Sequence, residues 1–271
     1  MRLSVLIYAS ALVAIIVSSP GAWANPIPMP ESGGMPAPED FQLGVLFKSE
    51  KVVYTIDNEN EAKVKAVYVL QNSANNNATL NISLPFSYEI PDDVKLSSNG
   101  QSVPFDKSDH TMNGTLKYSL IWFHLDFAAC ETLTLIATYS LRYSFYWDLW
   151  EMQIVPGRVY YQHFWCSYIA ETGRYWHNNL DTAEFQFRIK KDLYGSGLEG
   201  FQKTEASGYI VATKTYTNWK PNENIEAKWD RPDGDRTVQA HGFIILIVVL
   251  VVILTTVAVV AIRRKKKRKA F

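Results

Sequence analysis

Three carboxylates, Asp148, Glu151 and Glu171, stand in or beside a dense aromatic run. Two carboxylates at a fixed separation beside aromatic rings are the equipment of glycoside hydrolysis: one protonates the leaving oxygen, and the other attacks or activates water. Chain spacing does not set that separation, so a glycan-acting hydrolase stands as an alternative. His163 and Cys166 lie three apart in "HFWC". A zinc site needs further ligands, and none follows at regular spacing. A hydrogen-bonded structural histidine is the expectation. "DRPDGD" at Asp230–Asp235 has calcium-type oxygens. It lacks the glutamate that completes an EF-hand loop, so it reads as a turn. "GSGLEG" at Gly195–Gly200 fits the dinucleotide fingerprint in letters only. That site needs a helix N-terminus for the pyrophosphate, and "FQKTEASGY" leads into a strand instead. A nucleophile elbow, an H-E-x-x-H helix and a paired C-x-x-C are all missing from the sequence. The expectation is no enzyme, with no catalytic residue, metal or cofactor.

The aromatic run itself is the next candidate. From Tyr143 to Trp176 there are twelve aromatic residues. Each buries about 150–250 Å², so most are expected to fill a core. Strict alternation fails in "YSFYWDLWEM", where Phe145, Tyr146 and Trp147 are consecutive. Successive strand residues point to opposite faces, so these three cannot share one. Tyr146, Trp147 and Trp150 are therefore the candidate recognition residues, suited to a sugar face, a protein partner or a membrane interface.

Cys130 and Cys166 form an even pair. In an exported domain such a pair implies one disulfide, with two free buried thiols as the alternative. Asn77, Asn81 and Asn113 begin N-glycosylation sequons, usable where the host has the machinery.

These residues must be positioned by strands. "AKVKAVYVL" sets Val64, Ala66, Tyr68 and Leu70 on one face, and "TLNISLPF" does the same with Leu80, Ile82, Leu84 and Phe86. "ETLTLIATYSLRY" and "EFQFRIK" alternate likewise, and "YIVATKTYTNW" repeats the pattern. Asn99-Gly100 reads as a hairpin turn. Period two with polar outer faces predicts antiparallel sheets. The fold class expected for residues 41–235 is an all-β ectodomain, an antiparallel β-sandwich or two in tandem with a sub-boundary near 142–158. Before it, residues 25–40 hold five prolines and two glycines and read as a flexible arm.

"VKLSSNGQSVPF", "ETLTLIATYS" and "NWKPNENIEAKW" loosely resemble segments of exported β-rich surface proteins of bacteria and archaea, whose function is unknown. The resemblance covers about half of the exported segment. It implies a β-rich exported fold and carries no active site.

The two ends predict location. Arg2, an apolar stretch to about Val17 and the Ala22-Trp23-Ala24 site read as a signal peptide over residues 1–24, with an uncleaved anchor as the alternative. Residues 243–262 are apolar and uncharged, the length of one transmembrane helix. Residues 263–271 form a basic tail that the positive-inside rule places in the cytoplasm. Of 27 basic residues, Arg2 and the seven of Arg263–Lys269 lie at these ends, while all 27 acidic residues lie between them. The exported part thus carries 19 basic against 27 acidic residues, a charge of −8, which argues against nucleic acid as a partner. The leading expectation is a single-pass plasma-membrane protein with its N-terminal domain outside. Its non-enzymatic ectodomain would serve adhesion, envelope structure or recognition of a protein or glycan ligand. A subunit of a membrane complex is a further alternative.

Overall fold

The computed structural model describes residues 32–38, 44–87, 89–112, 116–146, 159–233 and 248–260. The chain divides into two compact units. One, Pro28–Tyr146 with Gln162–Arg231, contains nearly all the strands. The other joins Met1–Ile27, Trp147–Tyr161 and Pro232–Phe271.

In the first unit the largest sheet has eight strands. From edge to edge they are β14 (Gln202–Ala206), β15 (Tyr209–Trp219), β12 (Leu180–Lys190), β2 (Val45–Ile56), β3 (Glu61–Asn72), β9 (Thr132–Arg142), β5 (Lys95–Ser98) and β6 (Gln101–Ser102). A four-stranded sheet follows the order β1 (Ala37–Pro38), β4 (Ala78–Phe86), β8 (Leu116–Phe127) and β7 (Asp106–Met112). A second is β10 (Ser144–Tyr146), β11 (Tyr161–Tyr168), β16 (Ile225–Pro232) and β13 (Ser196–Gly197). The protein is thus mostly β, in several sheets.

Period-two alternation explains which side of each strand is buried. Val64, Ala66, Tyr68 and Leu70 of β3 are at most 3 % exposed, and Leu133, Leu135, Ala137, Tyr139 and Leu141 of β9 are buried beside them. Phe185, Phe187 and Ile189 of β12 complete the same apolar face. Asn99 and Gly100 both take positive φ, 49° and 82°, so β5 turns tightly into β6. β12 lies parallel to β2, from Thr182 opposite Ser49 to Ile189 opposite Ile56, while the other strand pairs of this sheet are antiparallel. A parallel neighbour needs a long crossover, and the chain between β2 and β12 supplies one. This pairing brings β2 and β12, which lie far apart in sequence, side by side in one sheet over one apolar cluster.

Two expectations are corrected. The described part of the proline-rich segment, residues 32–38, is no solvated arm. Met35 is fully buried, its N–H donates to Ile169 O at 2.9 Å, and Ala37–Pro38 adds an edge strand to β4. An edge place suits proline, which has no N–H to donate to a further strand. Cys130 and Cys166 are both free thiols and form no disulfide. Cys130 sits exposed in the turn from β8 to β9, while Cys166 is 2 % exposed on the inward face of β11, with Phe164 and Tyr168. One thiol belongs to a wet turn and the other to the core.

Of the second unit, residues 248–260 form helix α1, with the apolar side chains of Val248–Ile253 about half exposed. Thr255 and Thr256 return their hydroxyls to backbone carbonyls of Val251 and Val252. No helix among the described residues is long and apolar enough to cross a membrane. Residues 1–24, where a signal peptide is expected, residues 243–247 and 261–262 and the basic tail lie outside the described residues.

Candidate functional site

The outward face of the eight-stranded sheet carries a basic concavity of about 540 Å³. Strand register builds it in two transverse rows. In one, Thr55 of β2 lies between Arg188 of β12 and Lys63 of β3, and Lys63 faces Ser140 of β9. In the other, Val53 lies between Gln186 and Lys65, and Thr138 lies between Lys65 and Lys95 of β5. Strands are about 4.8 Å apart, so the four cations spread over roughly 19 Å from β12 to β5.

Charge there is left uncompensated. Among the described residues no ion pair engages Lys63, Lys65 or Lys95. The Arg188 guanidinium lies over the Tyr209 ring, 5.0 Å from its centroid. Asp93 is the one carboxylate in the lining. It accepts hydrogen bonds from Ser140 N at 3.0 Å and Ser140 Oγ at 2.8 Å. By contrast, Lys48 pairs with Asp181 at 2.7 Å and Lys51 with Glu184 at 2.9 Å. Uncharged Thr55 and Val53 of β2 and Ser140 and Thr138 of β9 separate the cations, so the patch presents spaced positive charges to solvent.

A second polar feature lies on the inner face. Glu50 of β2 is 2 % exposed. A bulge between Phe47 and Ser49 changes the parity of β2, turning Glu50 inward opposite Tyr68. Tyr168 donates to Glu50 Oε1, the Tyr68 and Tyr168 hydroxyls lie 3.4 Å apart, and Tyr68 donates to Gly34 O at 3.3 Å. Glu50 Oε2 and Tyr139 Oη are buried without a partner. Burial pushes the Glu50 carboxyl up from 4.5 to about 8, only partly offset by the Tyr168 bond. The same burial raises the tyrosines Tyr54, Tyr68, Tyr139 and Tyr168, as well as Cys166. Glu50 is therefore a neutral acid near pH 7, enclosed under the Ser32–Pro38 segment.

A third cluster resembles catalytic machinery only in composition. Asp230 Oδ1 lies 2.6 Å from His163 Nδ1, and Asp230 Oδ2 accepts from Ser196 Oγ at 3.4 Å. The carboxylate stands between serine and histidine, so this contact set does not place the imidazole on the hydroxyl to take its proton. His163 is hydrogen-bonded, as expected. The "GSGLEG" stretch forms β13 and a turn into β14, not a helix N-terminus.

The aromatic run proves mainly structural where it is described. Tyr143, Phe164 and Trp229 pack together, with Phe164 and Trp229 stacked at 5.4 Å, and Phe145 is 6.1 Å from Phe164. The Tyr146 backbone pairs with His163 in β10–β11. The Tyr146 side chain, Trp147, Asp148, Trp150 and Glu151 lie outside the described residues. Glu171 opens a short 3-10 turn over Glu171–Tyr175. Asn77 and Asn81 are exposed, and Asn113 lies outside the described residues. Sequence reading missed both the basic concavity and Glu50. A legible signal for Glu50 was the parity change in "VLFKSEKVVYTI": Val45 and Phe47 are odd, whereas Val52, Tyr54 and Ile56 follow a bulge.

The fold defines a mostly β protein of several sheets. No protein-family model and no curated protein sequence matches this chain. Its fold is similar to that of a proposed nutrient-binding protein from Legionella pneumophila, with a TM-score of 0.59, 12% identity and coverage of 74% of this chain and 71% of that one. An M1 zinc metallopeptidase from Deinococcus radiodurans aligns with a TM-score of 0.34 and 15% identity over 66% of this chain. Yeast LTA4 hydrolase aligns with a TM-score of 0.37 and 9% identity over 69%. This chain spans only 40% and 29% of those two proteins, and such scores carry no argument.

Proposed function

We propose that this chain is a single-pass cell-surface protein whose non-enzymatic β-sandwich ectodomain recognises an acidic polysaccharide on the basic concavity of the eight-stranded sheet. The observation that carries the reading is the set of unpaired lysines, Lys63, Lys65 and Lys95, arrayed with Arg188 in an otherwise acidic ectodomain. Cations spread across five strands suit an elongated ligand with repeated charge better than one compact anion. β12, β2, β3 and β9 are each paired on both sides, so along them a peptide finds no open strand edge. Thr55, Thr138, Ser140 and Gln186 supply hydroxyl and amide groups for sugar hydroxyls. Anchorage rests on the signal-like N-terminus, the apolar residues 243–262 and the basic tail.

The test uses the full chain in polyoxyethylene detergent micelles, titrated with a fluorescent polygalacturonate oligomer and with neutral dextran. Polygalacturonate should bind, weaken as salt rises and lose at least tenfold in affinity in the Lys63→Glu/Lys65→Glu variant. Equal binding of dextran, or an unchanged affinity in the variant, would overturn the reading.

A further inference from the structure

We infer that the outer face of the sheet formed by β4, β8 and β7 carries a second and separate ligand site, built around Trp122 for an uncharged sugar ring. The site is a concavity of about 360 Å³ lined by Asn81, Asp106, Trp122 and His124, with Pro104 and Phe105 among its walls. That volume falls in the range of about 300–1,000 Å³ usual for small-molecule sites.

Register explains why these side chains converge. Trp122 and His124 are two apart on β8, so both point to one face, about 7 Å from each other. Asn81 of β4 lies directly opposite His124, and Asp106 of β7 directly opposite Trp122. Opposed side chains stand about 5 Å apart at Cβ. The half-buried indole thus shares one face with an amide, a carboxylate and an imidazole. The opposite faces of these strands hold Leu80, Ile82, Ile121 and Phe123 in the core, so the platform is rigid.

The bonding capacity of the site is unspent. Among the described residues no hydrogen bond or ion pair engages the side chains of Asn81, Asp106, Trp122 or His124. Thr79 and Asp126, two residue pairs further along β4 and β8 on the same face, are by contrast bonded at 2.6 Å. The chemistry selects the ligand. An aromatic face takes the C–H side of a pyranose, and the rim offers both donors and acceptors, as polyol hydroxyls require. An anionic ligand would meet Asp106 with no cation in the lining. A cationic ligand would use Trp122 and Asp106 but leave the donors of Asn81 and His124 opposed to it.

Asn81 also begins a sequon, so the test uses full chain made in a host without N-glycosylation. The protein is ¹⁵N-labelled at tryptophan indoles in polyoxyethylene micelles, and the Trp122 resonance is identified by its loss in Trp122→Phe. Glucose, galactose, mannose, N-acetylglucosamine and tetramethylammonium are then titrated separately at millimolar concentrations. At least one sugar should shift the Trp122 resonance saturably. Asn81→Ala and His124→Ala should each weaken that sugar at least tenfold with an unchanged far-ultraviolet dichroism spectrum. Lys63→Glu/Lys65→Glu should leave the shift intact, which separates this site from the basic concavity. The inference is overturned if no sugar moves the resonance, if both rim variants retain full affinity, or if tetramethylammonium alone moves it.

Discussion

Glu50→Gln should reverse the alkaline sensitivity that the buried carboxyl imposes. In the fold the Glu50 carboxyl titrates at about 8, against 4.5 for an ordinary glutamate. A group whose folded pKa is raised contributes stability that is fully present below the unfolded value and is lost as pH rises through the folded one. Each unit is worth about 1.4 kcal/mol. Between pH 5 and pH 8 wild-type protein should therefore lose about 3–4 kcal/mol through this group alone. Glutamine is nearly isosteric and cannot ionise, so the variant lacks that slope. Its amide places a donor where Glu50 Oε2 is buried without a partner. That costs roughly 1–3 kcal/mol, but equally at every pH. The informative quantity is thus the change in the variant-minus-wild-type difference. Urea denaturation followed by tryptophan fluorescence at pH 5, 6, 7 and 8 measures it. The variant should gain on wild type by about 3–4 kcal/mol across that range. Parallel stability curves for the two proteins would refute the placement of Glu50 as an uncompensated buried acid.

Alkylation of native protein should modify Cys130 and spare Cys166, which is buried and has its thiol pKa pushed up, with Cys166 reacting only after denaturation. Peptide mass spectrometry reads this, and modification of neither residue in native protein would contradict free thiols. Gly33→Ala should cost about 1–3 kcal/mol, because a Cβ there would stand 2.3 Å from Tyr139 Oη. A denaturation midpoint equal to wild type would mean that the Ser32–Pro38 segment does not pack as described.

How much of this was legible in the chain depended on how local the physics is. The buried faces of β3, β4, β9 and β12 follow from period-two alternation, since adjacent strand residues must point oppositely. The Asn99-Gly100 turn follows from the tolerance of those two residues for positive φ. The Thr255 and Thr256 hydroxyls return to their own helix, which is likewise a local event. The alternation of "YIVATKTYTNW" misled in part: β15 is a strand, but only Ala212 along it is buried, because β15 and β14 stand at the edge of the sheet.

Sequence alone determined the strand content, the turn chemistry and the apolar and basic character of the C-terminal segment. Each is set by residues within a few positions of one another. Tertiary structure alone decided the rest. The parallel pairing of β12 with β2 brings Arg188 within two strands of Lys63, a proximity that no short window contains. The same assembly encloses Glu50 and sets Asn81, Trp122 and Asp106 on one face. It also places Cys130 in a turn and Cys166 in the core, separating two residues that parity of count had paired. Charge, burial and ligand geometry depend on distances through space, and those exist only once the strands have chosen their neighbours.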